Sequence, residues 1–223
     1  TFATTAAAIE GYGPAFDAFG GPAPAPRFAQ DWFPGLDAAA LYATVRAARP
    51  RRIVEIGSGH STRITARAIA DGGLDTELVA VDPAPRAALA GLAVSWQRRP
   101  VQAMAPEPVA ALEAGDVLFV DSSHVLVDGS DVAFVFTELL PRLRAGVLLH
   151  VHDVFLPDPY PAAWAWRGYN EQPAVAGLLT GGFELVFASA FVRRHAPELL
   201  GPVARALPLP AGAFETSLWL RRC

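Results

Sequence analysis

The chain has 223 residues, 52% of them hydrophobic and 18% charged, which excludes a disordered chain and fits one large packed domain or two small ones. Its net charge of −4 speaks against nucleic acid as the main partner, because phosphate binding needs a basic surface. All 18 residues of the Lys-plus-Arg total are arginine, which removes a P-loop lysine, a Schiff-base lysine and a tyrosine–lysine hydride-transfer pair.

The single cysteine is Cys223, so no intrachain disulfide forms, and a reducing, cytoplasmic setting is expected. No apolar run is long enough to span a bilayer, so no membrane partner is expected. The chain begins at Thr1, which points to a processed or trimmed start, and no signal-peptide pattern is visible.

Residues 1–36 read as an N-terminal extension with one short helix near Thr4–Ile9. The stretch from Gly20 to Pro26 is barred from helix or central strand by its prolines. Phe28, Trp32 and Phe33 either anchor this segment by surface packing or cover a site. From residue 37 onward a second region runs to 223. Asp37 is the expected N-cap of a helix to Ala48, ended by Pro50. Strands are then predicted at Arg52–Ile56, Glu77–Val81, Val94–Arg98, Asp116–Val120 and Val147–Val151. Helices are predicted between them at Ser61–Ala70, Ala84–Gly91, Pro106–Glu113 and Asp128–Leu143. After these come a helix at Asn170–Thr180, a strand at Phe183–Ala188, a helix at Glu198–Leu207 and a strand at Glu215–Leu220. Strands alternating with helices of this length indicate βαβ units and a mostly parallel sheet, with an antiparallel edge from the last two strands.

The strongest motif is Ile53-Val54-Glu55-Ile56-Gly57-Ser58-Gly59-His60-Ser61-Thr62, a strand, an acid and a Gly-x-Gly turn opening a helix. Such a turn lies at the carboxyl end of the first strand, where doubly wound sheets bind ligands. A nicotinamide dinucleotide fingerprint wants a third glycine or alanine where this chain has Thr62, and Glu55 suits a cofactor carrying an ammonium group. Asp82 ends the second strand, where an acid accepts hydrogen bonds from ribose hydroxyls. Asp121 and His124 follow the fourth strand, and His152 and Asp153 follow the fifth. His150, mid-strand and flanked by apolar residues, reads as structural. The aromatic, proline-rich stretch Phe155–Gln172 carries Tyr160, Trp164, Trp166 and Tyr169, suited equally to walling an acceptor or contacting another subunit. Asn170 and Glu171 after it either reach the site or cap the next helix.

VEIGSGHST, VAVDP and VLFVDSSH together resemble the class I S-adenosylmethionine-dependent methyltransferases. That resemblance covers residues 37–223 and implies a Rossmann-like α/β fold, a doubly wound seven-stranded sheet of order 3-2-1-4-5-7-6 with strand 7 antiparallel. It assigns Glu55, Gly57 and Gly59 to the methionine end of S-adenosyl-L-methionine and Asp82 to its ribose, with Ser58, Ser61 and Asp121 also binding the cofactor. Within the class the chain is similar to the catechol-type and macrocin-like small-molecule O-methyltransferases. That likeness implies a divalent metal ion on Asp121, His152 and Asp153, although His152 stands where those relatives have an acid. It implies a base at His124, where the catechol type has lysine, working as an imidazole of ordinary pKa near ~6.5. Tyr160, Trp164 and Asn170 are the expected substrate contacts. The implied partner is a small hydroxylated metabolite, with a homo-oligomer as a second possibility. An NAD(P)-dependent oxidoreductase on a related sheet and a non-catalytic cofactor-binding subunit are the alternatives.

Overall fold

The computed structural model describes residues 2–223. Helices α1 (Phe2–Gly11), α2 (Gly13–Phe16) and α3 (Gly35–Ala48) precede the sheet. Then follow β1 (Arg52–Ile56), α4 (His60–Gly72), β2 (Glu77–Val81), β3 (Ser95–Gln97), α5 (Glu107–Ala110), β4 (Val117–Val120), α6 (Asp131–Phe134) and β5 (Leu148–Val151). The chain ends with α7 (Gln172–Leu178), β6 (Phe183–Ala188), α8 (Ser189–His195), α9 (Pro202–Ala206) and β7 (Leu218–Arg222). The sheet order is 3-2-1-4-5-7-6, with β7 antiparallel to both its neighbours. The order expected from the resemblance is therefore present. A dinucleotide-binding sheet of order 3-2-1-4-5-6 has no such inserted strand.

The central strands are buried on both faces, as parallel strands covered by helices must be. Alternation along β1 sends Ile53 toward one core layer and Val54 and Ile56 toward the other. The first layer holds α3 and α4 residues together with Ile9, Phe16, Phe28 and Phe33. Phe28 and Phe33 are thus core residues. Glu10 extends the attachment, accepting from the Val203 and Ala204 amides at the start of α9.

Register positions the site. Ile56 pairs with Val81 and Val120, and Val120 pairs with Val151. Four strands end in step, so Gly57, Asp82, Asp121 and His152 emerge side by side at one edge. β1 lies between β2 and β4, where the winding direction reverses, and a crevice opens there.

Several predicted elements differ. Residues 84–91 form turns instead of a helix, because the Arg86 amide donates to the Ser58 carbonyl and the Ala88 carbonyl accepts from Arg63. α6 starts at Asp131 rather than Asp128, capped by Ser130. That helix widens into a π turn over Val135–Leu139 because Pro141, which cannot donate, lies ahead. Gly201 and Pro202 split the expected helix over 198–207, and α8, directly after β6, was not predicted.

Asp37 is also not a cap. It sits inside α3, fully buried, and accepts from the Thr216 and Ser217 amides at 2.8 and 2.9 Å. Glu215 accepts from the Leu36 amide at 2.6 Å and is gripped by Arg193 at 2.6 and 2.8 Å. These bonds hold residues 215–217 against α3, so β7 starts later than predicted. Asp37→Ala leaves two buried amides without acceptors and is expected to lower the unfolding free energy by about 2–4 kcal/mol in urea titration, with Asp37→Asn costing less.

Candidate active site

A cleft of 880 Å³ opens along the carboxyl ends of β1, β2, β4 and β5. Gly57 turns the chain there at φ 80°, and a Cβ at this position would lie 1.8 Å from the Asp121 carbonyl oxygen. Only glycine lets β1 and the β4 loop approach so closely. The turn is then tied from three sides. Asp82 Oδ2 accepts from the Ser58 amide at 2.7 Å and the Ser58 hydroxyl at 3.0 Å. Its Oδ1 accepts from the Ala84 amide at 2.7 Å. Thr62 folds back to accept from the Gly59 amide at 2.9 Å, which explains a hydroxyl where a dinucleotide site has a third small residue.

Glu55 lies behind the cleft wall, buried, with Oε1 accepting from the Ser61 hydroxyl at 2.5 Å. Burial pushes its carboxyl up to about 8 against those hydroxyl bonds, and Asp121 and Asp82 push the same way. Among the described residues its Oε2 has no hydrogen-bond partner. His60 is on the wall. Burial, joined by Arg63 and Arg27, pushes it down to about 4, so it is neutral. Its Nδ1 and the Ser122 hydroxyl are enclosed without protein partners.

The ends of β4 and β5 build a charged corner. His124 Nδ1 donates to Glu171 Oε1 at 2.6 Å. Its Nε2 lies 3.2 Å from Asp121 Oδ1 and 3.4 Å from Asp153 Oδ2. Burial pulls the imidazole pKa down, but Asp153, Glu171 and Asp121 outweigh it and hold it well above 6.5. His124 is therefore charged at neutral pH, not the ordinary imidazole expected from the sequence. Burial raises the Asp121 carboxyl, yet His152 and His124 bring it down to about 2. His152 Nε2 donates to the Trp32 carbonyl at 3.1 Å. His150 is fully buried, stacked at 3.9 Å on Phe119, and burial holds it neutral.

His124 and Asp153 both have left-handed backbones, φ 59° and 54°. Such non-glycine residues cost about 1–3 kcal/mol and persist only where surroundings fix them. Here the Asn170 amide donates to the His124 carbonyl at 3.0 Å, and Thr216 donates to Asp153 Oδ1 at 3.0 Å. Asn170 itself clasps both backbone groups of Leu126 and lies outside the cleft walls. Trp164 is on the wall, while Tyr160 packs behind it on Phe155 and Tyr169. Trp32, Arg86, Arg167 and Tyr169 complete the wall.

Residues 54–154 match the family model of a methyltransferase domain. No curated protein matches the sequence. A Podospora anserina methyltransferase solved with S-adenosylhomocysteine has a TM-score of 0.51 at 18% identity, over 97% of this chain and 88% of its own. A Klebsiella pneumoniae structure described as a putative O-methyltransferase has 0.51 at 17% identity, over 96% and 89%. The O-methyltransferase TomG of Streptomyces achromogenes, involved in tomaymycin synthesis and solved with S-adenosylmethionine, has 0.51 at 19%, over 98% and 88%. The chain shares its fold with these structures, and residues 54–154 carry the match to a methyltransferase domain.

The residues fit S-adenosylmethionine. The glycine cradle, the carboxylate of Asp82 with lone pairs to spare, and the polar residues Ser122 and His60 all line one cleft. They do not fit a divalent metal ion. The His124 ring lies between the two carboxylates, His152 commits Nε2 to a backbone carbonyl, and Thr216 occupies Asp153 Oδ1. Among the described residues, no three His, Cys, Asp or Glu side chains converge as metal ligands.

Sequence reasoning left three wall or corner residues unassigned. Glu171 was ambiguous between site and cap, and its pairing with His124 places it in the corner. His60 lies inside the glycine motif itself, so its place was readable. Arg167 had no local signal. Gly57→Ala must push the turn off the Asp121 carbonyl. Calorimetric titration of this variant with S-adenosylhomocysteine is expected to show affinity reduced at least about tenfold, roughly 1.4 kcal/mol.

Proposed function

We propose that the protein methylates an oxygen of a small hydroxylated metabolite, with His124 as the base and no divalent metal. The observation that carries this is the Glu171–His124 pair: Glu171 accepts a hydrogen bond from Nδ1 at 2.6 Å, which keeps the ring proton there and leaves Nε2 directed to the cleft-wall carboxylates. Bound in the cleft, S-adenosylmethionine supplies a methyl group activated by its sulfonium. Asp121 and Asp153 orient the acceptor hydroxyl beside Nε2. Neutral His124 takes the hydroxyl proton at Nε2, which frees the oxygen to bond the methyl carbon as the carbon–sulfur bond breaks, with the neutral thioether S-adenosylhomocysteine as the leaving group. Glu171 and the two cleft-wall carboxylates then stabilise the imidazolium. Positioning by the in-step strand ends supplies a further share of the acceleration. Trp164 and Tyr169 wall the acceptor, with Tyr160 and Asn170 supporting that wall from behind.

The charge on His124 sets the pH dependence. A histidine whose folded pKa is raised stabilises the fold fully below its unfolded value of 6.5, and that stabilisation is lost as pH rises through the folded value. Catalysis runs the opposite way, since only the neutral ring accepts a proton. Methyl transfer is therefore expected to rise with pH along a limb above 6.5. Glu171→Gln removes one carboxylate from the ring and is expected to shift that limb to lower pH, read from kcat/KM profiles with labelled cofactor. His124→Ala is expected to reduce kcat by about 10²–10⁴. An unaltered rate in that variant refutes the assignment. Thermal-shift titration with S-adenosylhomocysteine and with NAD(H) separates this reading from an oxidoreductase, since only the former is expected to stabilise the protein.

A further inference from the structure

Arg167 contrasts with Arg193 and Arg63, two other partly or fully buried arginines. Arg193, half-buried, is met by both oxygens of Glu215 at 2.6 and 2.8 Å. Arg63 lodges on the Ala88 carbonyl. Arg167 lines the cleft, yet among the described residues its only hydrogen bond donates Nη1 to the Tyr169 hydroxyl at 2.9 Å. Its Nε is enclosed without any partner, and among the described residues no carboxylate pairs with it. A guanidinium left this way on a cleft wall forgoes charge-assisted bonds that its planar fork is shaped to make.

The aromatic side chains hold it in place. Its guanidinium lies 4.2 Å from the Trp164 ring centroid, 5.3 Å from that of Tyr169 and 6.0 Å from that of Trp32. Tyr169 also lies 4.6 Å from the His124 ring, so one aromatic ring separates the guanidinium from the proposed base. A molecule reaching both groups needs a hydroxyl at one end, an anion at the other and a flat body about a ring wide between them.

We infer that Arg167 is a specificity residue for the acceptor, which is a ring-bearing hydroxy acid whose carboxylate pairs with the guanidinium while its hydroxyl meets His124. This rests on the acceptor reading above and adds the substrate class to it.

The test uses the full chain saturated with S-adenosylhomocysteine and two probes of one shape, 3-hydroxybenzoate and its neutral amide. Binding is followed by quenching of tryptophan fluorescence. Wild type is expected to bind the acid at least about tenfold more tightly than the amide, the scale of one charge-assisted hydrogen bond. Arg167→Gln is expected to erase that preference, with Arg167→Lys retaining part of it. Equal binding of the two probes by wild type, no binding of the acid, or a preference that survives in Arg167→Gln overturns the inference. So does a fall in S-adenosylhomocysteine affinity in Arg167→Gln, because the guanidinium then serves the cofactor's own carboxylate. Failure of wild type to bind S-adenosylhomocysteine at all refutes the methyltransferase reading instead, so the two failures are distinguishable.

Discussion

The structure depends on four parallel strands ending in step. Because Ile56, Val81, Val120 and Val151 share one level of the sheet, whatever follows each of them is delivered to the same edge. The glycine turn, Asp82, Asp121 and His152 occupy those following positions. A one-residue slip in any strand would turn its apolar side chains to the opposite face, so burial of both faces holds the level. The hydrophobic core thereby sets the geometry of the polar site.

The corner at β4 and β5 concentrates charge to a degree that a core of this composition would otherwise avoid. Three carboxylates surround one buried imidazole. Each alone would be expensive to bury, and together they compensate by pairing. The imidazolium fills the space between Asp121 and Asp153, so a positive centre is supplied by the chain itself. It also stabilises the fold at neutral pH while withholding the neutral base, an opposition between stability and activity within one side chain. The left-handed backbones of His124 and Asp153 lie in this same corner, where Asn170 and Thr216 hold them.

The segment before the sheet shares the core rather than decorating it. Phe28 and Phe33 enter the layer behind β1 and β4, and this anchorage brings the Trp32 carbonyl to His152 and its ring to Arg86 at 4.0 Å. One wall of the cleft is thus built from a region with no motif of its own.

The sequence alone determined the alternating elements, the glycine turn and the strand-end acids, because these depend on local periodicity and on backbone conformations that few residues adopt. The absence of lysine likewise pointed to His124 in place of an amine. Tertiary structure decided what no short window records. Asp37 looked like a helix cap, but its acceptors face amides 179 and 180 residues away. The expected metal ligands are instead committed to other partners, His152 to a backbone carbonyl and both acids to the His124 ring between them. Arg167 and Glu171 acquired meaning only from what the fold placed beside them, a guanidinium without a carboxylate and a carboxylate on an imidazole. Partnership between side chains is a property of distance in space, and a pKa follows from the sum of those distances and the burial around them.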